Sequence, residues 1–239
     1  MKNRLWPRLV QWSIVLTLPI TLLVLNMRIV TGHWFVHWEY GKIDFPPDPH
    51  GLTTAERTRL AEVCVDYLAT DADISLLRDL RLPDGEPAFN ERELCHMADV
   101  QTVYNRLMTT GLVAATMLVG GMIILLAAQH LRRRATAGVL GGSLLALGLL
   151  GAVGGYMVLS WGSFFTTFHR VFFEGDTWIF PYSDTLIRLF PIRFWMDVAT
   201  VIVGLLIAEV IVTGSAAWTW MRSDRPERQA HDQISYLGR

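Results

Sequence analysis

Two short stretches of this sequence hold side chains able to move protons near neutral pH. In Glu93-Leu94-Cys95-His96-Met97-Ala98-Asp99-Val100, His96 and Asp99 are three residues apart, so on a helix they share a face. A carboxylate beside an imidazole fixes its tautomer and raises its basicity, and Asp99 is the expected orienting partner of His96. Cys95 is a poor nucleophile for His96, because successive helical residues diverge by about 100°. In the second stretch, from Phe164 to Trp178, Phe165, Phe168 and Phe172 recur at helical spacing and set His169 among aromatic rings. Two imidazoles emerging on one surface make the simplest acid and base pair available. The plain alternatives are a solvated polar turn for His96 and an aromatic girdle at a lipid surface for His169.

Other features carry less chemistry. His33 and His37 have the i, i+4 spacing of helical metal ligands, but no third ligand accompanies them, so no metal is assigned. Glu209 lies inside an apolar stretch, where a carboxylate is costly and is read as functional or as snorkelling towards nearby cations. No nucleophile elbow, His-Glu-x-x-His pair, phosphate loop or dinucleotide fingerprint occurs, so nucleotide and redox-cofactor chemistry have no support and no cofactor is expected.

These residues must be positioned by apolar helices. The chain has 239 residues, 51% of them hydrophobic, 18% charged, with mean hydropathy +0.32; ordinary soluble domains carry roughly 25% charge. Four stretches reach the ~20 apolar residues a bilayer-spanning helix needs. The expected fold is therefore an all-α membrane protein of four transmembrane helices, with a small helical extracytoplasmic domain between helices 1 and 2. Lys2, Arg4 and Arg8 before the first span, the Arg132-Arg133-Arg134 triplet, and Arg222, Arg225 and Arg228 after the last one place both termini in the cytoplasm. The first span is too long for a signal h-region, and Asn26-Met27-Arg28 is a poor cleavage site, so it reads as a retained anchor.

The predicted order is a cytoplasmic N-terminus and span one over 1–31, an extracytoplasmic helical domain over 32–107, and span two over 108–131. A cytoplasmic loop follows over 132–136, then span three over 137–161, an extracytoplasmic aromatic loop over 162–193, span four over 194–216 and a cytoplasmic tail over 217–239. The tail from about 222 reads as polar and unstructured. The extracytoplasmic parts and outer helix ends hold 18 of the 22 acidic residues but 11 of the 21 basic ones, an acidic face that argues against nucleic acid as a partner. Cys64 and Cys95 both fall there and are a disulfide candidate.

Within the outer domain, the aromatics from His33 to Tyr40 suit a membrane interface, and Phe45-Pro46-Pro47-Asp48-Pro49 is a stiff linker. Thr53 to Glu56 reads as a capping box opening a helix over about 54–69, and a short helix is expected near Ile74 to Leu80. Asn90 to Glu93 is a second capping box, opening one long helix over about 91–131 that carries His96 and then becomes span two. Span three repeats glycines from Gly138 to Gly155, as the centrally packed helix of a bundle would.

With these pieces in place, the sequence resembles the bacterial four-helix membrane family that includes the lipoprotein intramolecular transacylase. The resemblance rests on Glu39-Tyr40, the stretch from Glu93 to Val100, Phe168-His169-Arg170-Val171-Phe172-Phe173, Trp178, and Asp184-Thr185-Leu186-Ile187-Arg188-Leu189-Phe190-Pro191, in that order. It implies an acyltransferase that moves the sn-2 acyl chain of a diacylglyceryl-cysteine lipoprotein onto the N-terminal amine, giving a lyso-lipoprotein. The implied catalytic pair is His96 and His169; Cys95 and Arg170 beside them depart from the pattern. The implied partners are a diacylated lipoprotein in the outer leaflet and membrane lipids, with the site on the extracytoplasmic face of the bacterial cytoplasmic membrane. Asp99 is then expected to orient His96, Asp184 and Arg188 to align polar parts of the substrate, and Trp178, Phe172, Phe168 and Tyr40 to line the acyl groove. Two other readings stay open: a non-enzymatic membrane anchor or binding protein, and a metal-dependent membrane enzyme using His33, His37 and His96.

Overall fold

The computed structural model describes residues 5–237, with side chains as far as Ser223. The described chain is helical: α1 (Trp6–Val30), α2 (His33–Tyr40), α3 (Thr54–Ala69), α4 (Ser75–Arg78), α5 (Glu91–Ala127), a 3-10 turn (Gln129–Leu131), α6 (Arg132–Leu159), α7 (Trp161–Phe172), α8 (Thr185–Leu189) and α9 (Ile192–Leu237). Four stretches, Trp6–Val30, Glu91–Ala127, Gln129–Leu159 and Ile192–Ser223, are long and apolar enough to cross a membrane. The chain is a multi-pass membrane protein. The polar tail expected past residue 222 has helical backbone to Leu237, and its side chains beyond Ser223 lie outside the described residues.

Two compact units emerge, each with its own core. The first takes the chain up to Val24, then Thr110–Gly155, and resumes at Gly204. Its core is small and apolar, with Ile14 and Leu125 fully buried and Leu18, Ala146 and Val210 beside Leu22. Hydroxyls inside it are satisfied locally, as lipid requires: Thr17 and Thr21 donate one turn back to the carbonyls of Ser13 and Thr17, and Ser143 and Thr213 share a hydrogen bond of 3.1 Å between α6 and α9. The glycines of α6 divide into two groups. A Cβ on Gly142 would stand 2.9 Å from Leu18, and one on Gly138 would stand 3.0 Å from Ile14, so these two let α1 approach. Gly148, Gly151, Gly154 and Gly155 face open space, so only the first half of the helix is packed as a central helix would be.

The second unit spans Leu25–Thr109 and Tyr156–Val203 and contains both histidine stretches. Its helices begin where local chemistry starts them. Thr53 and Glu56 cap α3 reciprocally, and α3 runs over the expected 54–69. At the start of α5, Asn90 Oδ1 accepts from the Glu93 amide, and Glu93 Oε2 accepts from the Asn90 amide. Glu93 reaches further: its Oε1 accepts the amide of Leu186 at 2.8 Å, which fastens the start of α8 to α5. Leu60, Cys64 and Tyr67 of α3, Leu77 of α4, Leu94 and Met97 of α5, and Leu186 and Leu189 of α8 close over this anchor. A second cluster joins Phe35, Val36 and Tyr40 of α2 to Ala61 and Phe194.

The two cysteines are not bonded. Cys64 is buried in the α3 core, which pushes its thiol far above the usual range, whereas Cys95 is exposed. Facing opposite environments, they do not form the candidate disulfide.

Candidate active site

α5 and α7 bring His96 and His169 together. The charged first turns of α5, through Arg106, precede its apolar run, so His96 stands outside the membrane-spanning part. Its neighbours are decided by helix phase, with Leu94 and Met97 buried in the core and His96 only 9% exposed. α7 starts after Ser160, whose φ of −156° and ψ of 80° break the helix before it, and buries no residue fully. It is a separate amphipathic helix, not a continuation of span three. His169 sits in its last turn.

The imidazole rings lie 6.3 Å apart at their centroids and 22° from parallel. At that separation they make no direct hydrogen bond, and a proton passing between them would need a small reacting group as intermediary. Aromatic rings box them in. Phe173 touches both, at 4.9 Å from His96 and 5.5 Å from His169. Phe180 closes on His96 at 5.3 Å, while Phe165 and Trp178 close on His169 at 4.1 and 4.8 Å. The segment between α7 and Phe180 turns tightly, with Gly175 at φ +65°, a left-handed conformation that favours glycine.

The two imidazoles are electrostatically distinct. His169 Nδ1 lies 2.8 Å from the carbonyl of Phe165, which can only accept, so Nδ1 carries the proton and the neutral ring offers its lone pair at Nε2. His96 Nδ1 is buried without a hydrogen-bond partner. Burial, followed by repulsion from His169, pushes His96 down to about 4, and burial also lowers His169, partly offset by the Phe165 carbonyl. Both rings therefore rest uncharged at neutral pH, and each is available to accept a proton.

The expected supporting residues divide sharply. Trp178 packs against His169, and Phe168 and Phe172 are partly exposed on α7, with Phe168 5.5 Å from the His169 ring. Asp99 is exposed and makes no hydrogen bond to His96, so it does not orient that ring. Three positions separate the two residues by about 60° around the helix, enough to leave one inside and one in water. Arg188 is engaged by another partner: its guanidinium holds the buried Asp48 through two bonds of 3.1 and 2.9 Å. Tyr40 is buried and donates its hydroxyl to the Leu189 carbonyl at 2.6 Å, a structural bond and not a groove wall. Asp184 is paired with Arg92 at 2.6 Å. His33 and His37 are engaged by carboxylates of α3, His33 with Asp66 at 2.8 Å and His37 with Glu62 at 2.7 Å. Among the described residues, no three His, Cys, Asp or Glu side chains are arranged to hold a metal ion, the expected-alternative trio included.

Sequence reasoning missed Phe180 and the bridging position of Phe173, although the Phe-rich periodicity around His169 hinted at an aromatic wall. Nothing local signalled that Glu93 anchors α8, since its partner lies in a distant segment.

The sequence profile of the family described as lipoprotein intramolecular transacylase Lit matches residues 12–195. The chain belongs to this family. A relative by sequence, an uncharacterized protein of Aquifex aeolicus, is 31% identical over 200 residues, covering 83% of this chain and 88% of its own. The fold is that of the lipoprotein intramolecular transacylase Lit from Bacillus cereus, with a TM-score of 0.79 at 21% identity over 93% of this chain and 99% of that one. Variants of the same Bacillus enzyme with one histidine replaced by arginine or by alanine each align with a TM-score of 0.73.

Proposed function

We propose that this chain is a lipoprotein intramolecular transacylase that moves the sn-2 acyl chain of a diacylglyceryl-cysteine lipoprotein to its N-terminal amine. The observation that carries the reading is the pair of uncharged histidines held face to face inside an aromatic box, one with its tautomer fixed. Family membership supports the same activity.

The amine nitrogen attacks the ester carbonyl, forming the N–C bond, and collapse of the tetrahedral adduct breaks the C–O bond to glycerol. The α-ammonium gives up two protons in becoming an amide. One ends on the glycerol oxygen and the other leaves to solvent, so each turnover releases one proton. His169 is the base, because its Nε2 lone pair is free while Nδ1 is committed to Phe165. His96 carries a proton only in transit, and a ring with so low an affinity for it delivers it readily to the departing oxygen. Holding ester and amine together supplies roughly 7–11 kcal/mol of the barrier, so positioning does much of what remains. Phe168, Phe172 and Trp178 offer the apolar surface for acyl chains. The distribution of arginines supports cytoplasmic termini and a site on the extracytoplasmic leaflet of the bacterial cytoplasmic membrane.

The test is mass spectrometry of a lipoprotein N-terminus made in cells with and without this protein. An N-acylated monoacylglyceryl cysteine that depends on both His96 and His169 is the expected product. An unchanged diacylglyceryl cysteine with a free amine would overturn the reading.

A further inference from the structure

One cation stands at the rim of the aromatic box with most of its donors unspent. Arg92 lies one helical turn before His96 on α5, so the two side chains rise from the same face. Its guanidinium sits over the ring of Phe180 at 5.5 Å, and Phe180 in turn closes on His96 at 5.3 Å. One of its nitrogens, Nη2, binds Asp184 Oδ2 at 2.6 Å, and Asp184 is only 12% exposed, so the fork is aimed by a fixed carboxylate. Among the described residues its other nitrogens, Nε and Nη1, have no hydrogen-bond partner, and the side chain is 45% exposed. A surface arginine that only stapled α8 to α5 would duplicate the bond from Glu93 to Leu186 and would not need to lean over the ring that walls the site.

The box itself is apolar and suits acyl chains and the ester, but the substrate is not apolar throughout. Beyond its amine, the lipidated cysteine continues into a peptide whose first groups are main-chain carbonyls. Those groups can only accept hydrogen bonds, and a guanidinium with free N–H groups is a planar donor suited to them. We propose that Arg92, aimed by Asp184, binds the main-chain carbonyl of the lipidated cysteine and so selects a diacylglyceryl group attached to a peptide over one attached to a simple amine. This assignment rests on the transacylase reading. Arg92 is a binding and specificity residue, and the proton transfers stay with the histidines.

The experiment compares two substrates with purified enzyme in nanodiscs: an S-diacylglyceryl-cysteinyl peptide with a free α-amine, and S-diacylglyceryl-cysteamine, which keeps the amine, thioether and esters but has no main-chain carbonyl. The readout is the ratio of kcat/KM for the peptide to kcat/KM for the cysteamine compound. In R92A this ratio falls about tenfold, as expected for one charge-assisted hydrogen bond, through KM for the peptide and not through kcat. R92K, which can keep the ion pair with Asp184, also lowers the ratio, because one ammonium cannot serve carboxylate and carbonyl in the same geometry. A purely structural arginine would depress both substrates alike and leave the ratio at the wild-type value, and that result in both variants would overturn the proposal. Failure of the wild type to turn over either substrate would refute the transacylase reading, and this inference with it.

Discussion

Replacing Phe180 with alanine should return a proton to His96. The Phe180 ring closes on His96 at 5.3 Å, and burial is the largest cause of the low proton affinity of this imidazole, held at about 4 against an ordinary value of 6.5. That difference corresponds to about 3 kcal/mol against charging the ring. F180A admits water to one face while leaving Phe173 and His169 in place, so it should recover about a third to a half of the penalty and bring the imidazole to about 5. At pH 5.5 the charged fraction would rise from a few per cent to about a quarter. Titrating 15N-labelled histidine by NMR in nanodiscs reads this directly, with the signal lost in H96Q identifying His96 among the seven histidines. A wild-type His96 titrating near 6.5, or an F180A ring still near 4, would refute the argument that the aromatic box keeps this histidine neutral.

Other consequences follow from the same contacts. Because His96 binds a proton less well folded than unfolded, the unfolded chain takes up more protons between pH 6.5 and about 4, so stability is present above 6.5 and is lost as pH falls through that window, by up to about 3 kcal/mol; chemical denaturation at pH 7 and pH 4.5, with and without H96Q, checks the sign. Arg188→Ala should cost about 3–5 kcal/mol, seen as a large fall in Tm, because it strands the fully buried carboxylate of Asp48. D99A should leave turnover near the wild-type level, since Asp99 is exposed and unconnected to His96; a loss of two orders of magnitude would restore it as an orienting group.

Much of the fold was legible because its signals are local. Apolar length marks the four long helices, and the reciprocal caps at Thr53 and Asn90 start α3 and α5 where their residues require. α8 could not be read that way. Five residues make a marginal helix alone, and this one is held by Glu93, by the core around Leu189 and by the Arg57 bond to the Arg188 carbonyl, all from distant sequence. The same distinction separates the site residues. His96 and His169 were legible as groups able to move protons, and the phenylalanine period implied the wall around one of them. Asp99 failed because spacing gives angular neighbours on a helix but does not say where the buried face ends. Arg188 and Tyr40 failed because their partners, Asp48 and Leu189, lie far along the chain, and a motif shows its residues without showing what occupies them. Cys64 and Cys95 share a domain, yet core packing gave one to the interior and left the other in water.

The central claim is that two neutral histidines carry an acyl chain's move from glycerol to nitrogen. Its most direct measurement uses purified protein in nanodiscs with a diacylglyceryl-cysteinyl peptide labelled with 13C only in the sn-2 acyl chain. The account predicts that tandem mass spectrometry finds the label on the cysteine nitrogen and a free sn-2 hydroxyl, and that H96Q and H169Q each slow this by two orders of magnitude or more. Label that stays on glycerol with the wild-type protein, or that moves as fast with either histidine replaced, would contradict it.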